Sequence, residues 1–279
     1  MTPTSGKRLL VAAAILMLMG CNQSKKEDAS MTTTMQVSLP EWQILEQKQV
    51  VFGHQSVGEN ILSGIERLAA KDDVKIDIRR QRTASTEKGI THFAIGRNGD
   101  PISKIHDFAD AIEAGAGQGA DVALMKLCYA DFTADTDAKQ VANDYIASLE
   151  SLAQRHPGIS FVAVTVPLAA VETGPKAWAK RLLGKQPNGY VDNLRRAEFN
   201  TQLREKYLAA GRLFDLARAE TEAAGKYCMA QVQGQAVETL CPELTDDGGH
   251  LNERGQDLVA TDFLSFIGSL TANNAMVAK

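Results

Sequence analysis

Val50-Val51-Phe52-Gly53-His54-Gln55-Ser56-Val57-Gly58 carries an apolar run through a turn and straight into a helical pattern. A short unbroken apolar run bounded by turn residues suits a strand buried on both faces. From Val57 the apolar residues Val57, Ile61, Leu62, Ile65, Leu68 and Ala69 recur at helical spacing, which predicts a helix to about Ala70. A buried strand that feeds a helix without a hairpin is the first half of a βαβ unit.

The rest of the chain continues this alternation. Val74, Ile76 and Ile78 alternate with charged residues and predict a strand with one wet face near a sheet edge. A turn-rich loop, Gly96-Arg97-Asn98-Gly99-Asp100-Pro101, precedes a helix marked by Ile102, Ile105, Phe108, Ala109 and Ile112. Val122-Ala123-Leu124-Met125 with Leu127 reads as a central strand, and Val141 to Leu152 as a third helix. Ile159 to Val166 predicts another buried strand, residues 191–210 a helix, Leu213 to Leu216 a short strand and Asp257 to Leu270 a closing helix. Residues 41–49 form an amphipathic lead-in with Trp42; residues 168–189 and 226–245 are connections without an assigned role. Strands alternating with helices predict a mostly parallel sheet covered on both faces, a three-layer α/β/α sandwich of flavodoxin-like kind. There is no internal repeat and no second-domain boundary.

The N-terminus has its own logic. Lys7 and Arg8, an apolar stretch from Leu9 to Met19 too short to span a bilayer, and a small residue mark residues 1–20 as a signal peptide. Leu18-Met19-Gly20-Cys21 resembles a bacterial lipobox, which implies lipidation at Cys21; Asn22 after the cysteine, by resemblance to lipoprotein sorting, implies the outer membrane, facing the periplasm. Residues 21–40 are expected to be a polar tether and residues 41–279 the folded domain. The formal charge is −4, and becomes −6 once Lys7 and Arg8 leave with the signal peptide. An acidic chain with intermingled charges does not gather polyanions, so no nucleic-acid partner is expected. In an oxidising compartment Cys228 and Cys241, flanking a polar stretch, are candidates for a disulfide; Cys128, at the end of an apolar strand, is read as a buried free thiol. No C-x-x-C pair or H-E-x-x-H spacing occurs, so neither a metal nor a cofactor is expected. The run Ala114-Gly115-Ala116-Gly117-Gln118-Gly119 follows a helix and precedes a strand, the wrong order for a dinucleotide loop.

Two segments carry chemistry. A serine after the first strand of a parallel sheet lies where ligands collect, beside helix-start N–H groups that can hold an oxyanion; the plain alternative is a helix cap. In Asp246-Asp247-Gly248-Gly249-His250-Leu251-Asn252, Asp247 stands three residues before His250, a spacing that lets a carboxylate bond one ring nitrogen and leave the other free. Asp246 is the alternative orienter, and a glycine-rich turn followed by an Asn252 cap is the plain reading. Lys126 interrupts an apolar strand end and is expected either to reach the rim or to pair with Asp131. His92 and His106 are expected at the surface.

Together, Phe52-Gly53-His54-Gln55-Ser56-Val57-Gly58 and Asp247-Gly248-Gly249-His250 resemble the first and last blocks of the SGNH (GDSL-type) hydrolase superfamily, over roughly residues 48–270. The resemblance implies Ser56 as nucleophile, His250 as general base and acid, and Asp247 as its orienter. It implies oxyanion or substrate contacts from Gly99 first, Gly96 second, and from Asn98 or Tyr129; His54 is read apart from it, either as orienting a substrate or the Ser56 loop or as an imidazole packed in the turn. Two positions depart from the pattern: Gln55 stands where an aspartate usually precedes the serine, and Ala130 falls where the oxyanion asparagine is expected, leaving Asn98 or Tyr129 to replace it. The implied activity is hydrolysis of acyl or acetyl esters on envelope glycans or lipids through an acyl-serine. The alternatives are acyl transfer to an envelope polysaccharide and a catalytically silent glycan-binding lipoprotein.

Overall fold

Strand β1 (Gln49–His54) is buried at every residue, because it is hydrogen-bonded on both edges and covered on both faces. The computed structural model describes residues 37–185 and 187–277. The expected signal peptide 1–20, the expected lipidation residue Cys21 and the expected tether up to residue 36 lie outside the described residues. The folded part starts before residue 41: Val37 is buried and helix α1 (Leu39–Gln47) begins at once, capped by Ser38 and Glu41.

Helix α2 (Val57–Lys71) follows β1 directly. After it come β2 (Ile78–Arg80), β3 (Gly89–Ala94), α3 (Pro101–Ala111), β4 (Val122–Met125), α4 (Ala138–Arg155) and β5 (Ser160–Val164). Then follow α5 (Gly174–Leu182), α6 (Tyr190–Tyr207), β6 (Leu213–Phe214) and α7 (Leu216–Thr221). Two small antiparallel pairs, β7 (Glu222–Ala223) with β8 (Lys226–Tyr227) and β9 (Met229–Val232) with β10 (Gln235–Glu238), precede the closing helix α8 (Glu253–Val277). The main sheet has the order β2-β3-β1-β4-β5-β6 and every pairing in it is parallel. Without the edge strand β2 this is the flavodoxin-type order, whose crevice opens where the winding reverses, here between β1 and β4. Among the described residues no helix is long and apolar enough to cross a membrane.

Side-chain alternation along the strands builds two cores. Val50, Phe52, Val122, Leu124, Val162 and Val164 face helices α1, α2, α7 and α8, while Val51, Ala123, Met125, Phe161 and Ala163 face α3, α4 and α6. Each such Val, Leu or Phe contributes about 1.5–3 kcal/mol when fully buried. Gly64 sets how closely α2 approaches α8, since a Cβ there would lie 2.3 Å from the Gln256 carbonyl oxygen.

Two expected features change. Val74 and Ile76 are outside any strand; the wet edge strand is only three residues long, and both side chains pack on the core from coil. Strand β3 has no counterpart in the sequence reading, because its Thr91 and His92 break the apolar run although both are buried. The disulfide is present: Cys228 is bonded to Cys241, 13 residues apart, and Cys128 is a buried free thiol. Glu220 on α7 is fully buried, with Oε2 accepting from Leu168 N–H at 2.6 Å and Oε1 without a partner.

Two stability predictions follow from these connections. A disulfide closing a loop of this size contributes about 3 kcal/mol, so Cys228→Ser with Cys241→Ser lowers the urea midpoint accordingly; an unchanged midpoint refutes the role. Burial pushes the Glu220 carboxyl up to about 8, against the opposing pull of the Leu168 N–H, Lys126 and Arg196. The folded chain therefore keeps a proton that the unfolded chain releases in the ordinary carboxylate range. This contribution is fully present below the unfolded pKa and is lost as pH rises through the folded one. Glu220→Gln keeps the Leu168 bond and flattens the fall in Tm between about pH 5 and about pH 8; a slope equal to that of the unsubstituted chain refutes the assignment.

Candidate active site

Ser56 is the junction between β1 and α2, and its backbone pays a steric cost to be there, with φ 54° and ψ −107°. Positive φ is uncommon for a residue with a Cβ and is held only when the surroundings over-determine it. The surroundings do: β1 is locked between β3 and β4, and the Gln55 side chain donates to the carbonyls of Ile95 (2.5 Å) and Gly96 (2.7 Å). Ser56 occupies the cap position of α2 but its side chain makes no capping bond. Its Oγ instead lies 2.5 Å from His250 Nε2.

His250 arrives on the loop before α8. A bridge between Thr245 and Leu251 closes that loop, and Leu251 N–H donates to Asn60 Oδ1 on α2 at 3.1 Å. Asn252 caps the helix through Gly255 N–H, 3.0 Å away. His250 Nδ1 is 2.6 Å from Asp247 Oδ2, and Asp247 Oδ1 accepts from the backbone N–H groups of His250 (2.7 Å) and Gly249 (2.8 Å). Partial burial alone would raise the Asp247 carboxyl. The His250 N–H, the His250 imidazole and the Gly249 N–H outweigh it and hold the group well below the usual carboxylate range. An ionised Asp247 accepts from Nδ1–H, which leaves Nε2 with a lone pair for the Ser56 hydroxyl. Asp246 reaches only Asn252 Nδ2, at 3.4 Å.

Tyr129, four residues past the end of β4, completes the cluster. Its hydroxyl is 3.5 Å from the same His250 Nε2, and the two rings meet edge to face at 5.6 Å. Burial, and then the charge of Asp247, raises the phenol pKa, so the hydroxyl keeps its proton at neutral pH. Gly249 makes this approach possible, because a Cβ there would lie 2.6 Å from the Tyr129 ring. From behind, Arg196 donates to the Tyr129 carbonyl through Nε (3.0 Å) and Nη2 (2.8 Å), with its guanidinium 5.8 Å from the ring centroid.

Of the remaining expected contacts, those of Gly99, Gly96 and His54 are corrected. Gly99 N–H donates to Asp131 Oδ1 and Gly96 N–H to Asp107 Oδ2, both at 2.8 Å, so neither points a free donor at Ser56. Asn98 is exposed, and its Oδ1 accepts from Lys104 Nζ at 2.8 Å. His54 is buried and bonded to His92 (Nε2 to Nδ1, 3.0 Å); burial, then nearby Lys126, drives its pKa down to about 2 and keeps it neutral, away from the cleft. His92 is likewise buried and not at the surface. His54, Glu59 and His92 hold ligand atoms within 4.8 Å of one another, but the imidazoles pair with each other and Glu59 lies 3.8 Å from Arg80. Lys126 neither reaches the rim nor pairs with Asp131. It is fully buried, donating to the Leu127 carbonyl at 3.1 Å.

Asp131's partner is Lys104, a residue the sequence reading passed over. Both side chains have zero exposure, and Lys104 Nζ lies 2.8 and 2.7 Å from the two carboxylate oxygens. Asp131 also accepts from Cys128 N–H at 2.6 Å. One buried carboxylate thus ties the glycine loop after β3 to the loop after β4. The signal was available: Lys104 lies four residues before Phe108 and seven before Ala111 in the helical repeat, on the apolar face of α3. The donors left for a developing oxyanion are the N–H groups of Ser56 and Val57, which start α2 and have no partner among the described residues, and the Tyr129 hydroxyl.

No family model and no curated protein matches the chain. Among solved structures it is similar to a GDSL-like lipase from Bacteroides thetaiotaomicron, at 12% identity and a TM-score of 0.46, covering 81% of this chain and 90% of that one. It is similar to a psychrotrophic esterase from a Pseudoalteromonas species at 12% identity and a TM-score of 0.46, covering 81% and 99%. It is also similar to the periplasmic domain of a lipopolysaccharide acetyltransferase from Salmonella ser. Paratyphi A, at 12% identity and a TM-score of 0.44, covering 83% and 90%.

The Lys104–Asp131 pair generates a sharp test. Lys104→Met alone strands a buried carboxylate and costs about 3–5 kcal/mol. Lys104→Met with Asp131→Asn, which removes the stranded charge and keeps an acceptor for the Gly99 and Cys128 N–H groups, recovers part of that loss in denaturant unfolding. Equal destabilisation by the single and double changes would contradict a pair that acts as a unit.

Proposed function

We propose that the chain is a serine ester hydrolase, and one observation carries the reading: the Ser56 Oγ, His250 and Asp247 relay, closed at 2.5 and 2.6 Å across 194 residues of sequence. A serine hydroxyl becomes a nucleophile when a neutral imidazole takes its proton and a carboxylate steadies the resulting imidazolium. Ser56 Oγ attacks the acyl carbonyl and its proton passes to His250 Nε2. The negative charge that develops on the carbonyl oxygen is held by the N–H groups of Ser56 and Val57 and by the Tyr129 hydroxyl, which stands in for the asparagine that Ala130 replaces. Collapse breaks the ester C–O bond, and His250 returns the proton to the departing alcohol. Water, deprotonated by His250, then attacks the acyl-serine, releasing the carboxylic acid and restoring Ser56.

Hydrolysis is favoured over acyl transfer by access to solvent. The His250 and Asp247 side chains are 45% and 57% exposed, whereas transfer requires that water be kept from the acyl-enzyme. The lipobox-like Leu18-Met19-Gly20-Cys21 supports a lipid-anchored protein of the bacterial envelope. The bonded Cys228 and Cys241 agree with an oxidising compartment. The substrates are then small-molecule, lipid or glycan esters within reach of the outer membrane.

Ser56→Ala abolishes hydrolysis of short p-nitrophenyl esters and labelling by a fluorophosphonate; activity equal to that of the unsubstituted chain refutes the reading. Tyr129→Phe lowers kcat by roughly 10²-fold with little change in KM, the loss typical of one oxyanion donor. An unchanged kcat would remove Tyr129 from the oxyanion site and leave the two N–H groups.

A further inference from the structure

The connection between β5 and α6 leaves the rim of the Ser56 cluster and returns to it. Ala170 N–H donates to the Gly248 carbonyl at 2.8 Å, which joins the start of the connection to the loop that carries Asp247 and His250. The excursion beyond is closed at its base. Glu172 N–H donates to the Asn188 carbonyl (3.1 Å), Asn188 N–H to Glu172 Oε2 (3.1 Å), and Lys180 Nζ reaches both Glu172 Oε2 (2.6 Å) and Asn188 Oδ1 (3.0 Å). Helix α5 lies within this clasp, with Ala177 buried on its inner side.

Its outer side is the opposite of what water favours. Trp178 and Leu182, one turn apart on α5, and Leu183, the first residue past it, are 63%, 66% and 74% exposed. The basic residues of residues 173–188 are Lys176, Lys180, Arg181 and Lys185, and no acid is among them, although the chain as a whole is acidic. Lys176 and Lys185 are exposed and, unlike Lys180, have no ion-pair partner among the described residues. An apolar face of tryptophan and leucine bordered by lysines is the composition of a helix that lies in a bilayer interface, where the rings and leucines enter the acyl boundary and the ammonium groups meet lipid phosphates.

We propose that α5 docks the protein flat on an anionic lipid surface. The occupant is the lipid headgroup region: a protein groove would match the apolar residues but supplies no reason for four bases against one acid, Glu172, which Lys180 already pairs. Docking sets the Ala170–Gly248 edge of the Ser56 rim against the membrane, so that esters carried in the bilayer reach it; this consequence, unlike the docking itself, rests on the hydrolase reading above.

Tryptophan fluorescence tests the docking at one residue. The chain has two tryptophans, and Trp42 is buried and bonded to Asp72, so a change in emission on adding lipid reports Trp178. The full chain carrying Cys21→Ser, which removes the site of lipid attachment, is mixed with vesicles of phosphatidylglycerol and phosphatidylcholine, or of phosphatidylcholine alone. Docking gives a blue shift and quenching by brominated acyl chains with the anionic vesicles, both weakened by salt and absent in Trp178→Phe. Lys176→Gln with Lys185→Gln weakens partitioning roughly tenfold or more, as does Leu182→Ser with Leu183→Ser. No shift with anionic vesicles overturns the proposal. So does an equal shift with neutral vesicles, or a shift that grows with protein concentration without lipid, which would assign the face to a second copy of the chain. Ser56→Ala docks as the unsubstituted chain does, and the α5 variants hydrolyse a soluble p-nitrophenyl ester at the unsubstituted rate, so failure of docking and failure of the hydrolase reading are separate results.

Discussion

Everything around the site is referred to β1, the strand held by hydrogen bonds on both edges between β3 and β4. Because all three run parallel, their carboxyl ends open onto one rim, and the loops that follow them are forced together. Ser56 sits at the end of a strand paired on both edges and buried at every residue. That constraint is why a residue with a Cβ can be kept at positive φ: with both neighbours fixed, the turn cannot relax without breaking ladder bonds or the Gln55 anchor.

Around that fixed point the loops are secured by different physics. The His250 loop is held by backbone donors to one exposed carboxylate, so Asp247 both shapes its own turn and orients the imidazole. The loops after β3 and β4 are held by a fully desolvated ion pair whose remaining lone pairs are filled by the N–H groups of Gly99 and Cys128. Removing charges from water is costly and a buried pair gains little over an apolar one. What it supplies here is direction: only a carboxylate at that point collects donors from two loops at once. The same choice explains why Gly99 offers no free donor, while Gly96 gives its N–H to Asp107.

Tyr129 reaches the site through residues far apart in the chain. Its phenol turns toward His250, seated against Gly249, which has no Cβ to obstruct it, and it is braced through its carbonyl by the buried Arg196.

The sequence by itself determined the α/β alternation, the place of Ser56 between strand and helix and the Asp247-to-His250 spacing, since each is written in local periodicity or in a short count of residues; it made Cys228 and Cys241 candidates for the disulfide that the structure forms. The tertiary structure decided what depends on partners far along the chain. It alone placed β3, a strand whose buried Thr91 and His92 hide it from any reading of apolar runs. It gave Asp131 to Lys104 and left Lys126 with a carbonyl. It turned His54 toward His92 and away from the cleft. Polar side chains in a core are committed by whichever donor or acceptor the folded chain delivers, and that delivery is a property of the sheet order, which no single segment contains.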